Sequence, residues 1–199
     1  IPCFNQAETL PAAVRSALLQ TYPHVEVLIV NDGSTDNTAF VADSLASANI
    51  GGNIRVIHAV HRGTAEARDV GVAEAKGNWL VMLDSDDELM PKFIETALSK
   101  TREIPNLSIV YGRQQQTGLG NRVWDPGAYL PEKIVRGTFP PSIDLLARDF
   151  WNDFGGFKPE NPCGASHYHL WLSAVEHGCE VAYIPEVVAK YRIQKSGQT

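Results

Sequence analysis

No run of apolar residues in this 199-residue chain approaches the ~20 that a bilayer-crossing helix needs. A signal-peptide pattern is lacking too. Basic blocks are missing: 17 Lys and Arg against 23 Asp and Glu leave a net charge of −6, which argues against a nucleic-acid footprint. Phosphate ligands are not excluded, because a divalent metal neutralises them locally. Cysteine is scarce. Cys3, Cys163 and Cys179 are far apart with no C-x-x-C pair, which suits reduced thiols in a cytosolic setting better than a disulfide framework or a zinc site. There is no initiator methionine; the chain opens mid-pattern on Ile1-Pro2-Cys3-Phe4-Asn5, as a domain cut from a longer chain would. Any membrane anchor is expected in segments outside it.

What is present is an ordinary globular composition, 44% hydrophobic and 20% charged, long enough for one substantial core and one domain. No internal repeat or low-complexity tract interrupts it. Short β-branched runs at residues 25–30, 54–57, 79–83 and 107–111 read as strands. Between them, helical patterns fall at residues 10–20, 37–48, 64–75 and 91–102. Such alternation predicts a parallel, right-handed α/β sheet. It stops near Arg113. Residues 113–137 are polar and punctuated, and read as a hairpin or a mobile loop. Beyond them the pattern predicts a strand at 142–147, a glycine turn at Phe154-Gly155-Gly156-Phe157, a helix at 166–177, and two strands at 181–184 and 187–192. The layout is a nucleotide-binding half, residues 1–112, followed by a smaller and more irregular half, residues 113–199.

Chemistry concentrates at Asp84-Ser85-Asp86-Asp87, directly after the apolar run Trp79-Leu80-Val81-Met82-Leu83. Ligands of open α/β sheets bind beyond the carboxyl ends of the strands. Three carboxylates in four residues repel one another unless a cation lies between them, and a divalent metal holding phosphates is the usual one. A plainer reading stands beside this. Pro91 follows closely, and acidic residues favour the positive end of a coming helix.

The chain resembles the inverting, GT-A-fold glycosyltransferases of family 2 essentially end to end. Ile1-Pro2-Cys3-Phe4-Asn5 looks like the end of that family's first strand. Residues 30–38, Val-Asn-Asp-Gly-Ser-Thr-Asp-Asn-Thr, match its second-strand signature. His61-Arg62-Gly63 through Ala67-Arg68-Asp69-Val70-Gly71 is similar to its N-x-G…A-R-N-x-G segment, with Asp69 in place of Asn. Leu83-Asp84-Ser85-Asp86-Asp87 to Pro91 matches its D-x-D motif, and Gly155-Gly156-Phe157 its later glycine turn. The order and spacing of these pieces imply a GT-A nucleotide-diphospho-sugar transferase fold. They shift the acidic cluster towards the metal-site reading, and they do not suit a nucleotidyltransferase, which also places carboxylates on a metal after a strand.

The resemblance implies roles residue by residue. Phe4 would pack on the donor's base, the plainer role being a core aromatic at a strand end. Asp32 would accept a hydrogen bond from that base, uridine being expected; alternatively it bonds its own turn. Asp84 would take the ribose hydroxyls, Ser85 would line the donor site, and Asp86 would be the direct ligand of Mn2+ or Mg2+. Arg62 and Arg68 would lie near the donor, although Arg68 on an alanine-rich helix also suits a solvated or sheet-capping arginine. Partners would be a nucleotide-sugar donor and a saccharide or lipid-linked acceptor. The setting would be the cytoplasm or the cytoplasmic face of a membrane, in polysaccharide or cell-envelope synthesis.

The sequence departs from the family at the base. Relatives carry Glu-Asp at the start of the last helix; here residues 164–173 read Gly-Ala-Ser-His-Tyr-His-Leu-Trp-Leu-Ser. Ser166 replaces the glutamate and His167 the catalytic aspartate. Histidine titrates near neutrality and can do a base's work. His167 is therefore either a working base or a substituted position in an impaired enzyme. His169, two residues on, points elsewhere on a helix and reads as a surface residue. Gln194 stands where relatives often carry a histidine that closes over the diphosphate, and Lys158 replaces an aspartate. The competing reading is thus a catalytically weak donor-binding or scaffolding domain of a larger assembly.

Overall fold

The computed structural model describes residues 1–137, 141–157 and 166–194, and of residue 166 only the backbone. Lys158, Cys163, Gly164 and Ala165 lie outside the described residues, as does the side chain of Ser166. In the first half, strands β1 (Pro2–Cys3), β2 (Val27–Asp32) and β3 (Ile54–Ala59) form a parallel sheet in that order. Every residue of β2 is buried, because it has a strand on either side. Helices α1 (Leu10–Leu18) and α2 (Thr38–Ala48) make the crossovers, and α3 (Thr64–Glu74) leads from β3 to the second sheet. In α1, Pro11 occupies the first turn, where its missing N–H costs nothing, and Leu10, Ala13, Val14 and Ala17 are buried at helical spacing.

The second sheet is mixed, where the alternation of the first half alone predicts parallel strands. Strands β4 (Trp79–Val81), β5 (Glu88–Leu89), β6 (Leu107–Gly118), β7 (Val123–Trp124), β8 (Asp144–Ala147) and β9 (Glu180–Ile193) run in the order β4-β8-β6-β9-β5, with β7 paired to β6. Only β6 and β9 are parallel; β8 runs antiparallel to both β4 and β6. Alternation in the sequence reports that a helix follows a strand, not which neighbour the strand will bond. The run at residues 79–83 pairs only as far as Val81. The polar stretch after Arg113 is a hairpin: β6 continues through Gln114-Gln115-Gln116 because β9 pairs with it the whole way. Pairing overrides weak β-propensity there. The two strands expected after residue 180 are one, β9, with a register shift around Pro185. At that shift, a Cβ on Gly112 would meet Ile184 O at 2.9 Å and Val188 Cγ1 at 2.6 Å.

Helices α4 (Phe93–Glu103), α5 (Pro131–Val135), α6 (Arg148–Phe154) and α7 (Ser166–Glu176) complete the chain. Alternation along β4 and β8 divides two cores. Leu83 and Leu145 face a cluster with Leu10, Ile29 and Phe93. Leu80, Met82 and Leu146 face a second one with Phe157, Leu170 and Trp171. An apolar cavity of about 310 Å³ between the sheets is lined by Ile1, Val27, Gly71, Trp79 and Leu145, among others, but by none of the carboxylates of residues 84–87. The chemistry lies elsewhere, at the carboxyl ends of β2 and β4.

Candidate active site

The turn after β1 and the turn after β2 are laced together. Asn5 adopts a left-handed backbone (φ 53°), a conformation asparagine tolerates better than most. Its Oδ1 accepts from the backbone N–H of Thr35 (2.8 Å) and Asp36 (3.2 Å), and its own N–H donates to Ser34 Oγ at 3.0 Å. This clasp presents Phe4 at the surface, 39% exposed and stacked on the His61 ring at 4.0 Å and 20°. The core-aromatic reading of Phe4 is excluded; the ring is half of a flat platform.

Asp32 is buried, and its carboxylate is already engaged. Oδ1 accepts from Arg62 N–H and Oδ2 from Gly63 N–H, each at 2.9 Å, and His61 Nδ1 lies 2.9 Å from Oδ2. Asp32 thus anchors the His61-Arg62-Gly63 turn rather than its own; Asn31 does that, accepting from Ser34 N–H at 3.1 Å. Gly33 (φ +64°) is required, since a Cβ there would meet His61 N at 2.8 Å. Arg62 is not brought to the acidic turn. It is exposed and pairs with Glu66 one turn along α3.

Arg68 is brought there. It is neither solvated nor capping: 8% exposed, it bonds Asp84 Oδ1 at 2.5 Å and lies over the Phe157 ring. Asp69, the next residue, accepts from Phe157 N–H at 3.0 Å and so holds the Gly155-Gly156-Phe157 turn beneath that guanidinium. Burial raises the Asp69 carboxyl above the usual range. Ser85 is buried. Asp86 is half-buried; its Oδ2 accepts from the Gln194 amide (2.5 Å) and its carbonyl from Arg192 Nε (3.3 Å). Gln194, which stands where relatives often carry the closing histidine, therefore sits on the expected metal ligand. A polar cleft of about 550 Å³ is lined by Asn5, Gln6, Asp36, Gly118, Arg192 and Gln194, a size that suits a small-molecule ligand; the carboxylates of residues 84–87 do not line it either, and Asp86 meets it only through Arg192 and Gln194.

Asp87 proves structural. It is buried, Oδ1 accepts from Arg192 N–H at 2.8 Å, and Oδ2 has no partner among the described residues. Burial, helped by the charges of Asp84 and Asp86, pushes its carboxyl up to about 8. Asn at this position keeps the acceptor and is neutral, as the carboxyl largely is at pH 7. Asp87→Asn should therefore melt within a few degrees of wild type at pH 7. Asp87→Ala, which leaves the Arg192 amide unbonded, should cost about 1–3 kcal/mol, read by thermal or urea unfolding.

His167 stands in the first turn of α7, 13% exposed, with Nε2 3.0 Å from Asp144 Oδ2. Asp144 opens β8, and its carboxylate is fully buried. Continuing the Val81↔Leu145 register by one residue places Asp144 opposite Met82, two residues before Asp84. Asp144, and with it His167, thus lies at the end of the sheet from which the acidic turn leaves. His169 is exposed, as its spacing from His167 suggested. Asp144 was missed from sequence, although a lone carboxylate within Ile143-Asp144-Leu145-Leu146 is a visible signal. His61 was missed also.

A family model described as "Glycosyl transferase family 2" matches residues 1–158. The chain belongs to that family. This family 2 domain is 40% identical over 184 residues to chondroitin synthase of Pasteurella multocida (strain Pm70), covering 89% of this chain and 18% of that protein. It is 34% identical over 104 residues to glycosyltransferase GlyG of Streptococcus pneumoniae serotype 4, covering 52% of this chain and 34% of that protein. The matched stretch therefore spans only about a third of one relative's length and less than a fifth of the other's. A 1–349 fragment of S. aureus TarS in complex with UDP has the same fold, with a TM-score of 0.76 at 16% identity over 96% of this chain and 59% of that one. So does the mannosyltransferase PcManGT of Pyrobaculum calidifontis in complex with GDP-Man and Mn2+: TM-score 0.73, 19% identity, 98% of this chain and 56% of that one. The GT-A α/β architecture expected from the motifs is thus shown.

Among the described residues no three His, Cys, Asp or Glu side chains converge into a protein-only metal cage. One half-open carboxylate beside a polar cleft does fit an ion whose remaining ligands are phosphate oxygens and water, the usual arrangement for Mg2+. Among the described residues no helix is long and apolar enough to cross a membrane.

Proposed function

We propose that this family 2 domain is a metal-dependent inverting transferase. It moves a sugar from a nucleotide sugar, UDP-linked, to a saccharide or lipid-linked acceptor, in or beside the cytoplasm, for polysaccharide or cell-envelope synthesis. Residues 1–112 take the donor and residues 113–199 the acceptor. The observation that carries this reading is the division of labour in the acidic turn: Asp84 is fixed by Arg68 while Asp86, two residues on, stays half-open beside a polar cleft.

In this reading the base stacks on the Phe4 platform, and Asp32 faces its edge with what acceptor capacity the His61-Arg62-Gly63 turn leaves. The free oxygen of Asp84 takes the ribose, and Ser85 lines the same wall. Asp86 holds Mn2+ or Mg2+, which when bound neutralises the charge gathering on the departing diphosphate. Arg68 orients Asp84 from below, and Arg62 reaches the donor by swinging away from Glu66. An acceptor hydroxyl attacks the anomeric carbon opposite the diphosphate, so the configuration inverts, and His167 takes the hydroxyl proton. Support comes from the neighbours that share the fold, solved with UDP, UDP-GlcNAc, or GDP-Man and Mn2+.

A second reading, a donor-binding or scaffolding domain with impaired catalysis, is favoured by one observation: both His167 nitrogens are enclosed, Nε2 by Asp144 and Nδ1 without a partner among the described residues. Release of UDP from a panel of UDP-sugars, UDP-GlcNAc included, separates the two. Turnover by wild type and its loss in His167→Ala supports the transferase. Inert wild type with activity gained in His167→Asp supports the impaired domain.

A further inference from the structure

The pairing of His167 with Asp144 has no counterpart in the motif that aligns this segment with its family, where a carboxylate stands on the helix itself. Here the carboxylate has moved to the strand and an imidazole stands before it. Asp144 is wholly buried in an apolar strand between Ile143 and Leu145. An unpaired carboxylate in such a place costs several kcal/mol, and packing alone would be served better by leucine or valine. Its one hydrogen-bonded partner among the described residues is His167, and its other oxygen, Oδ1, has none. On the imidazole, Nδ1 is likewise buried and has no partner among the described residues. A third orphan, Trp171 Nε1, belongs to the same helix face one turn on, and its ring meets Tyr111, the register partner of Asp144. Three unsatisfied polar groups from one junction of β8, β6 and α7 are more than a native core normally tolerates, and such groups ask for a ligand, a water or a reaction.

We infer that Asp144 and His167 form a carboxylate–imidazole dyad that accepts the proton of the transfer, with Asp144 as the positioning residue; this rests on the transferase reading above. The carboxylate fixes the neutral ring with the proton on Nε2, so the lone pair of Nδ1 is the basic one. As the acceptor oxygen bonds to the anomeric carbon, the anomeric carbon–diphosphate bond breaks and its electron pair leaves with the nucleotide. The hydroxyl proton passes to Nδ1, and the imidazolium so formed faces a carboxylate that stabilises it. The His167 side chain is 13% exposed, but Nδ1 itself is enclosed, so the transfer requires the acceptor hydroxyl to displace what covers that atom.

One arm of the test needs no substrate. In histidine-labelled wild type, nitrogen NMR at neutral pH should show His167 neutral, protonated on Nε2 and bare on Nδ1. An Nδ1–H tautomer or an imidazolium overturns the dyad. The second arm follows release of UDP from whichever UDP-sugar is turned over. Asp144→Asn and His167→Ala should each lower kcat about 100-fold or more with the donor KM and UDP affinity unchanged, and the double variant should be no worse than either. Retained UDP affinity also shows that the variants fold. If His167→Ala is impaired but Asp144→Asn is not, or if the two losses multiply, the dyad falls while the histidine base stands. If neither variant is impaired, or no UDP-sugar is turned over, the transferase reading fails and the dyad with it.

Discussion

Asp84→Ala is expected to destabilise the fold by about 3–5 kcal/mol, the usual cost of stripping one partner from a buried ion pair. The guanidinium left behind belongs to Arg68, which is 8% exposed, lies over Phe157, and already has one nitrogen, Nε, without a partner among the described residues. Asp84 itself is 31% exposed, so solvent screens part of the loss and the lower end of the range is the better expectation. Arg68→Met in the same chain should recover most of it, because two well-packed apolar groups replace a charge with nothing to face. Urea unfolding of the single and double variants measures both. A single variant within 1 kcal/mol of wild type would mean that the pair opens to water and that Arg68 is no anchor.

Two residues along, the expected phenotype reverses. Asp86→Ala should leave the unfolding midpoint within a few degrees of wild type, since its side chain is half-buried and its contact is with the terminal amide of Gln194. Transfer, however, should fall about 100- to 1,000-fold, the range seen when one preorganised electrostatic stabiliser of a leaving group or oxyanion is removed. Wild type should lose a comparable factor when Mn2+ and Mg2+ are chelated, and the variant should then lose little more. Equal activity of Asp86→Ala and wild type under saturating metal would move the metal site off this residue. Two carboxylates of one turn would thus differ, Asp84 serving the fold as well as the ribose and Asp86 the chemistry alone.

Much of this was legible in the sequence, and the reasons differ from residue to residue. The acidic turn could be placed at a strand's carboxyl end because Trp79-Leu80-Val81-Met82-Leu83 is continuously apolar, and the structure keeps it there even though pairing stops at Val81. Phe4 could be identified but not its exposure, which depends on Asn5 reaching across to Thr35 and Asp36. Arg68 was ambiguous for a simple reason. Helical spacing shows which residues share a face, but not that Asp84, sixteen residues away, would be folded beneath that face. The direction of β8 was unreadable, since an antiparallel strand inserted between β4 and β6 leaves no mark on the local pattern. Asp144 was the clearest missed signal. A carboxylate among Ile143, Leu145 and Leu146 belongs to a strand with no other polar residue in it, and burial of that kind demands a partner.

Gln194 shows how a substitution gains meaning from contacts. In the sequence it was only the absence of a histidine. In the fold it is the last described residue, and its amide rests on Asp86. A bound ion and this amide would compete for the same oxygen, so ion binding should be felt at the end of β9.

Calorimetric titration of the chain with UDP, run with and without Mn2+, tests the central claim, that the turn at residues 84–87 is a metal-dependent donor site. UDP should bind at least tenfold more tightly with Mn2+, the difference should vanish in Asp86→Ala, and it should persist in His167→Ala. UDP binding indifferent to both Mn2+ and Asp86 would contradict it.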